Sequence, residues 1–552
     1  MPAGQAMLVT DAVAAALAGL GADTVFGVVG SGNFHVTNAL IANGARFVAA
    51  RHECGAACAA DAWARGTGRP GILSVHQGPG LTNAMTGITE AAKSRTPLLV
   101  LAADVASAAV RSNFRIDVAA LATSVGAAAD RLHSPATAAA DAARAYRTAE
   151  RERRTVVLAM PLDVQGTQCD PPVLPPVPPL DPPAPAPEAA ARLAAALSAA
   201  QRPVFVAGRG ARAARAALAE LADACGALLA TSAVAKGLFH DSPWDLGVSG
   251  GFASPLTAEL ITAADLVVGW GSSLNMWTMR HGKLIGPGAR VAQVDDDSSA
   301  IGAHRPVDIG VHADVACAAR AVLAALRGPA RPGYRSGELR ARIAREARWR
   351  DVPFEDQGVA GPGGVIDPRT LTIALDDLLP AERVVAIDSG NFMGYPSMFL
   401  SVPDEHGFCF TQAYQSVGLG LASAIGAALA QPDRLPVAAL GDGGALMGIS
   451  ELETVVRLGL PMVVVVYDDE AYGAEVHHFG PDGFALDTVR FPPADIAAIG
   501  RGFGCAGVTV RGPEDLGPVR DWLAGPRDRP LVIDAKVASA SGSWWLEEAF
   551  RQ

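Results

Sequence analysis

The stretch Pro436–Gly473, PVAALGDGGALMGISELETVVRLGLPMVVVVYDDEAYG, decides the fold. It opens on a short apolar run, Val437–Leu440, that passes into Gly441-Asp442-Gly443-Gly444. A segment with apolar residues at helical spacing follows, and a second apolar run, Met462–Tyr467, ends in Asp468-Asp469. Short apolar runs bounded by Gly or Asp and joined by helical periodicity read as a βαβ unit with parallel strands. Both acidic stops then lie at the carboxyl ends of strands, where open α/β sheets bind ligands. Glycine lets backbone N–H groups come close to a phosphate, and a helix N-terminus adds positive potential. Asp442 and Asp469 repel a phosphate and need a cation between them and it; carboxylate plus phosphate oxygens is the ligand set Mg²⁺ prefers. Taken alone, GDGG is also an ordinary turn, and DDEA a helix start with Asp as a good N-cap.

A chain of 552 residues exceeds one hydrophobic core and predicts about three domains of common size. Half the residues are apolar and 18% charged, the balance of a soluble globular enzyme. The net charge of -11 argues against nucleic acid or an anionic membrane as main partner. Seven cysteines without a CxxC pair predict neither a disulfide framework nor a zinc site. Cys54 and Cys58 are spaced to share a helix face, where small buried residues also fit. No basic region followed by an apolar core opens the sequence, and no apolar run has transmembrane length. A reducing cytoplasm is the expected location.

Residues 1–168 alternate helices and strands, the pattern of a doubly wound α/β domain. A strand at Thr24–Val29 leads into the turn Gly30-Ser31-Gly32-Asn33, and one at Arg46–Ala50 into His52-Glu53 and a small-residue helix. The strand GILSV leads into His76-Gln77-Gly78-Pro79-Gly80 and a helix from Leu81. Glu53, at a strand-to-helix handover, is expected to be buried or half-buried, although an exposed helix-start glutamate fits the segment alone. A buried carboxylate without a partner is costly.

Taken together, these segments resemble the thiamine-diphosphate-dependent enzymes. The likeness rests on GDG with a paired acid and YG downstream, on RHECGAACAADAWARGTGRPGILSV, and on GPG-x-x-N at Gly78–Asn83. It implies three doubly wound parallel-sheet α/β domains: pyrimidine-binding, middle and diphosphate-binding. It implies a Mg²⁺ held by Asp442, Asp469 and the backbone oxygen of Ala471, and a diphosphate held around Gly441, Asp442, Gly443, Gly444, Tyr472 and Gly473. Gly390 and Asn391, at the end of VVAIDSGNF, correspond to a first diphosphate loop. Ser416 precedes Val417, which takes the place of the bulky residue that wedges between the two cofactor rings. Glu53 corresponds to the acid that hydrogen-bonds N1′ of the aminopyrimidine, with Pro79, Gly80 and Asn83 closing around that ring. The chain departs from the family in having Asp468-Asp469 where a pair of asparagines is usual. An extra negative charge beside a diphosphate predicts a tighter dependence on the metal.

His76 and Ser31 resemble substrate-pocket residues of benzoylformate decarboxylases; a structural histidine and a turn-capping serine are the alternatives. His477 and Glu475, in AEVHHF after Tyr472-Gly473, are candidate proton-transfer groups or an exposed polar helix face. Acetolactate synthases carry a tryptophan where His478 falls and a bulkier residue at Ala474. HHFGP lacks the HExxH spacing of zinc enzymes.

The remaining segments order the domains. Cys169–Pro187, CDPPVLPPVPPLDPPAPAP, reads as an extended linker, with a polyproline-binding partner as the other reading. Residues 188–327 form the middle unit, 328–368 a connector with a basic helix at Glu338–Arg350, and 369–552 the unit containing GDGG. Gly208–Ala213 approximates a dinucleotide fingerprint, but the acid at the right distance, Asp223, falls within a helix, so hydride chemistry is not supported. The resemblance leaves FAD or ADP in the middle domain undecided, leaning slightly towards an empty domain. Asp295–Asp297 read as a solvated strand end.

The expected reaction is decarboxylation of a small-molecule 2-oxo acid followed by carboligation, as in acetolactate synthases. Simple decarboxylation is the alternative that Ser31, His76 and the missing tryptophan favour, and a non-catalytic cofactor-binding paralogue is a third. With Glu53 and Asp442 on different domains, the resemblance implies an active site between subunits of a homodimer, paired or not into a tetramer.

Overall fold

The computed structural model describes residues 6–361 and 363–546; Pro362, in the GVAGPGG loop of the connector, lies outside them. Three six-stranded sheets carry these residues, and every strand pairing within them is parallel. The first holds β1 (Thr24–Gly27), β2 (Arg46–Ala49), β3 (Gly71–Val75), β4 (Leu98–Asp104), β5 (Ala128–Arg131) and β6 (Thr155–Pro161), in the order 2-1-3-4-6-5. The second holds β7 (Pro203–Ala207), β8 (Leu228–Thr231), β9 (Asp245–Val248), β10 (Leu266–Trp270), β11 (Arg290–Asp295) and β12 (Ile309–His312), in the order 9-8-7-10-11-12. The third holds β13 (Arg383–Ile387), β14 (Phe408–Phe410), β15 (Leu435–Gly441), β16 (Val463–Asp468), β17 (Ala506–Val510) and β18 (Leu531–Lys536), in the order 14-13-15-16-18-17.

The central strands are buried at every residue, LLVLAAD and VVVVYD among them, because helices cover both faces of each sheet. The strand order reverses between β1 and β3, between β7 and β10, and between β13 and β15, and a crevice opens beyond the strand ends at such points. The helices that bear on function are α1 (Glu53–Thr67), α2 (Pro79–Lys93), α3 (Gly420–Ala430), α4 (Asp442–Met447), α5 (Glu451–Arg457) and α6 (Gly473–Phe479).

Some expected boundaries move. The strand expected over Thr24–Val29 stops at Gly27, and α2 begins at Pro79 rather than Leu81, because proline fills a first helical position whose N–H has no partner anyway. The helical stretch after GDGG is two helices, broken at Gly448-Ile449-Ser450. Asp296 and Asp297 are not merely solvated: they pair with Arg153 and Arg95 of the first domain, the latter at 2.6 Å. The proline-rich stretch carries neither helix nor strand from Asp170 to Ala186.

A buried polar cluster joins the three domains. Arg65, near the end of α1, donates to Asp61 at 2.9 Å, Glu90 at 2.9 Å, Ser94 at 2.5 Å and the Phe410 carbonyl at 2.9 Å. Glu90 accepts in turn from the Ala413 and Tyr414 N–H groups of the C-terminal domain. Arg209 and Arg212 of the middle domain close the cluster on the carbonyls of Ser94 and Arg65. Removing the cation would leave two buried acids uncompensated, so Arg65→Met is expected to cost about 3–5 kcal/mol of stability in urea unfolding. An unchanged midpoint would show that the domains are held together elsewhere.

Candidate active site

The expected site residues fall into two groups, one at the switch point of each terminal sheet. In the first domain the turn after β1 is shaped by Asn33, fully buried, whose Oδ1 accepts from Gly30 N–H at 2.8 Å and whose Nδ2 donates to Val28 O and Ser74 Oγ. Ser31 is exposed on the outside of this turn. His76, at the end of β3, accepts the Gly32 N–H on Nδ1 at 3.0 Å and stands edge-on to Phe114. That bond makes Nδ1 the acceptor, which leaves the proton of a neutral imidazole on Nε2. Burial holds the His76 pKa below the ordinary imidazole value, against the opposing charge of Glu53. His76 is therefore neutral around pH 7, with one defined donor.

Glu53 is half-buried at the first position of α1, as its place in the sequence suggested. It is not without a partner, because Asn83 on α2 donates to Glu53 Oε2 at 3.0 Å. Pro79 is exposed at the start of α2, and Gly80 packs under His76, whose Cβ would be 3.0 Å from a Cβ placed on that glycine. Gln77 was not anticipated: it is buried against Gly32, where any side chain on the glycine would collide with it.

The second group gathers between β13, β15 and β16. Gly390 follows β13 with φ +141°, a conformation that favours glycine. Asn391 is buried; its Oδ1 accepts from Ser543 N–H at 2.8 Å and its carbonyl from Ser543 Oγ and Trp545 Nε1, so the C-terminal segment takes part of the hydrogen bonding expected for a ligand. Its Nδ2 faces Gly473, 3.4 Å from where a Cβ would be. Ser416 is half-buried and Val417 exposed, with Val417 Cγ1 standing 3.2 Å from a Cβ placed on Gly444.

A residue the sequence did not mark holds this loop in place. Asp388, buried, accepts from the N–H groups of Ser389, Gly418 and Leu419 at 2.8–3.2 Å, and burial pushes its carboxyl up to about 6. The glycines of GDGG are close-approach positions. A Cβ on Gly441 would press on Phe392, one on Gly443 would collide with the Tyr472 ring, and one on Gly444 with Asp388 Oδ2.

Asp442 is buried at the start of α4, and its carboxyl is pushed up to about 7, by burial first and the charge of Asp468 second. Burial, then the charges of Asp442 and Asp468, hold Asp469 well above the ordinary range, although the Ala471 N–H bonds back to it. Asp469 Oδ2 lies against Gly473, where a Cβ would collide with it. Two buried acids whose affinity for protons is raised by burial and by neighbouring carboxylates are a favourable setting for a hard cation. Among the described residues no three His, Cys, Asp or Glu side chains cluster as a metal site. Two carboxylates, a backbone oxygen and ligand phosphates are, however, the set Mg²⁺ takes when it is not caged by protein alone. The residues fit the ion.

Asp468 behaves otherwise than its place in the pair suggested. Its carboxylate pairs with Lys536 of β18, whose ammonium also reaches Asp534 at 3.1 Å and the Ala494 carbonyl at 2.8 Å. Lys536, shared with Asp534, offsets the extra charge in part, and what remains still raises the pKa of Asp442 and Asp469. Lys536→Met is expected to uncover that charge and weaken Mg²⁺-dependent cofactor binding about tenfold to a hundredfold, the usual effect of losing an outer partner of a metal site. Calorimetry of the variant against the double variant with Asp468→Asn checks this; the second substitution should restore binding.

His477 on α6 is half-buried and packs against Gly542 in the C-terminal segment, 3.3 Å from where a Cβ would be, while Glu475 and His478 are exposed. In the middle domain, the glycine turn after β7 is occupied. Gly208 N–H donates to the Trp270 carbonyl and Gly210 N–H to the Gly271 carbonyl, so neither is free for a pyrophosphate, and Arg209 leaves the turn for Ser94. This turn does not fit a nucleotide bound in the usual way.

Three family models match the chain: thiamine pyrophosphate enzyme N-terminal TPP binding domain over residues 7–122, central domain over 190–326, and C-terminal TPP binding domain over 388–535. Among curated proteins it is 31% identical over 533 residues to the probable 2-ketoarginine decarboxylase of Pseudomonas aeruginosa, covering 92% of this chain and 90% of that one. It is 30% identical to the sulfoacetaldehyde acetyltransferase of Rhodobacter capsulatus, covering 90% and 88%. It is 29% identical to the acetolactate synthase large subunit of Parasynechococcus marenigrum, covering 94% and 85%. Among the described residues no helix is long and apolar enough to cross a membrane.

Proposed function

The chain belongs to the thiamine pyrophosphate enzyme family, acting on carbon–carbon bonds, and from that premise we propose that it decarboxylates a small 2-oxo acid and protonates the carbon left behind. The observation that carries this reading is the Gly32 N–H bond to His76 Nδ1, which aims a single, neutral Nε2–H donor beside Glu53. A donor at that position would hold the substrate by a hydrogen bond, and a water oriented by it would supply the proton that ends a decarboxylation.

Thiamine diphosphate supplies the electron sink for the bond cleavage. Asp442, Asp469 and the Ala471 backbone oxygen would hold Mg²⁺ on the diphosphate, with Gly390, Asn391, Gly441, Gly443, Gly444, Tyr472 and Gly473 as the close-packed cradle. Ser416 and Val417 would border the rings, Val417 as a short wedge. Glu53, oriented by Asn83, would hydrogen-bond N1′ of the aminopyrimidine, with Pro79 beside it. Ser31 and His477 would meet the substrate. Glu53 and Asp442 stand on different domains, so this reading includes a homodimer with shared sites; a fully active monomer in sedimentation at micromolar concentration would contradict it.

Transfer of the fragment to a second carbonyl compound is the second reading, favoured by the acetolactate synthase and acetyltransferase among the relatives. Incubation with pyruvate and a panel of larger 2-oxo acids separates the two. Aldehyde without a ligated product supports decarboxylation; an acetolactate- or acetoin-type product supports transfer.

A further inference from the structure

The loop that delivers Glu53 is gripped from the other end of the chain. Glu451 opens α5, directly after the helix that carries Asp442, and is only 3% exposed. Its Oε1 accepts the N–H groups of Arg51 at 3.0 Å and His52 at 3.1 Å, the two residues before Glu53. Its Oε2 accepts from Thr454 Oγ1 at 2.7 Å. Two more residues of α5 hold the same loop: Glu453 pairs with Arg51 at 2.5 Å, and Arg457 donates to the Ala49 carbonyl. Gly55 lies in the first turn of α1, where alanine would favour the helix, yet a Cβ there would collide with the Glu451 carboxylate. A buried acid that spends one oxygen on two N–H groups of a single turn and has the other pinned by Thr454, with a glycine making room for it, fixes that turn.

We propose that Glu451 is a positioning residue for Glu53: it sets the start of α1 so that the Glu53 carboxylate meets the aminopyrimidine. The proposal rests on the reading of Glu53 given above. It makes the handover from β2 to α1 depend on α5, so Glu53 is aimed by the domain that carries Asp442.

The test is the rate of hydrogen–deuterium exchange at the cofactor's thiazolium C2 in the Mg²⁺-loaded holoenzyme, read by NMR after acid quench, with cofactor affinity measured calorimetrically alongside. Misplacing a catalytic group by about an ångström costs on the order of a hundredfold. Glu451→Ala is expected to slow exchange by about that factor with cofactor affinity changed less than about threefold. Glu451→Gln keeps the oxygen that accepts both N–H groups and should stay near the parent rate. Gly55→Ala should slow exchange although it favours the helix, which keeps the test decisive if Glu451→Ala folds poorly. Parent-rate exchange in both Glu451→Ala and Gly55→Ala would overturn the proposal, as would slowing that only tracks lost cofactor binding. Glu53→Gln runs in parallel: parent-rate exchange there would sink the reading of Glu53 itself, whereas slow exchange there with parent-rate exchange in both Glu451→Ala and Gly55→Ala would sink only the positioning role.

Discussion

Glu53→Gln is expected to lower turnover by about 10²–10⁴-fold, the range that a positioned acid–base group contributes, while cofactor affinity stays within about tenfold. The amide fills the same space at the start of α1 and still faces Asn83, which can turn its amide to suit, so the fold has no reason to change. What it lacks is a carboxylate to share a proton with a ring nitrogen. In the proposed site the diphosphate would be held by the other domain, in the cradle around Asp442 and Gly473, so binding and chemistry should separate. Steady-state kinetics beside a calorimetric titration with thiamine diphosphate and Mg²⁺ reads both. Turnover within threefold of the parent would remove Glu53 from the chemistry.

Asp442→Ala should act in the opposite sense, on binding first. The Mg²⁺ concentration giving half-maximal cofactor binding is expected to rise by at least about a hundredfold, more than the loss of an outer partner costs. The other carboxylates near the glycine cradle are engaged elsewhere, Asp468 by Lys536 and Asp388 by the Gly418 and Leu419 N–H groups, so neither is placed to take over. Apo stability should hold or rise, because a buried acid with a raised carboxyl pKa costs stability until a cation meets it. A titration against Mg²⁺ at fixed cofactor, with thermal unfolding of the apo protein, checks both statements. Unchanged metal dependence would show that the ion, or the cofactor, is held elsewhere.

Legibility in the sequence followed the distance over which a physical signal acts. Asp442 and Asp469 announce themselves because a parallel strand buried on both faces must read as an apolar run, and a polar stop at its end must be the loop of the ligand edge. His76 and Ser31 were legible by the same rule, and their turns do meet, through the Gly32 N–H. The partners of these residues were not. Asn83 could be matched to a pyrimidine loop but not to Glu53, because Pro79 and the helix it opens set that contact in space. Asp388 looks like any acid after an apolar run until Gly418 and Leu419 are seen to fold back onto it.

The charge of the acid pair has a partner that the sequence did not show. Counted along the chain, Asp468 and Asp469 add up, and the metal is the natural compensation. In space Lys536, 68 residues later, lies on the neighbouring strand β18 and offsets one of them in part. Electrostatic energy depends on separation through the protein, not along the sequence.

Sequence alone thus determined three parallel α/β domains and the glycine–acid turns at their ligand edges, which arise from local periodicity and turn chemistry; the cofactor followed from the family those segments resemble. Tertiary structure alone decided which tautomer His76 holds, which charge Lys536 offsets, why Gly55 must be small, and that Glu451, about 400 positions from Arg51 and His52, grips the turn that carries Glu53. A hydrogen bond or an ion pair selects its partner by ångströms and angles, and only the packed sheets bring such distant residues within that reach.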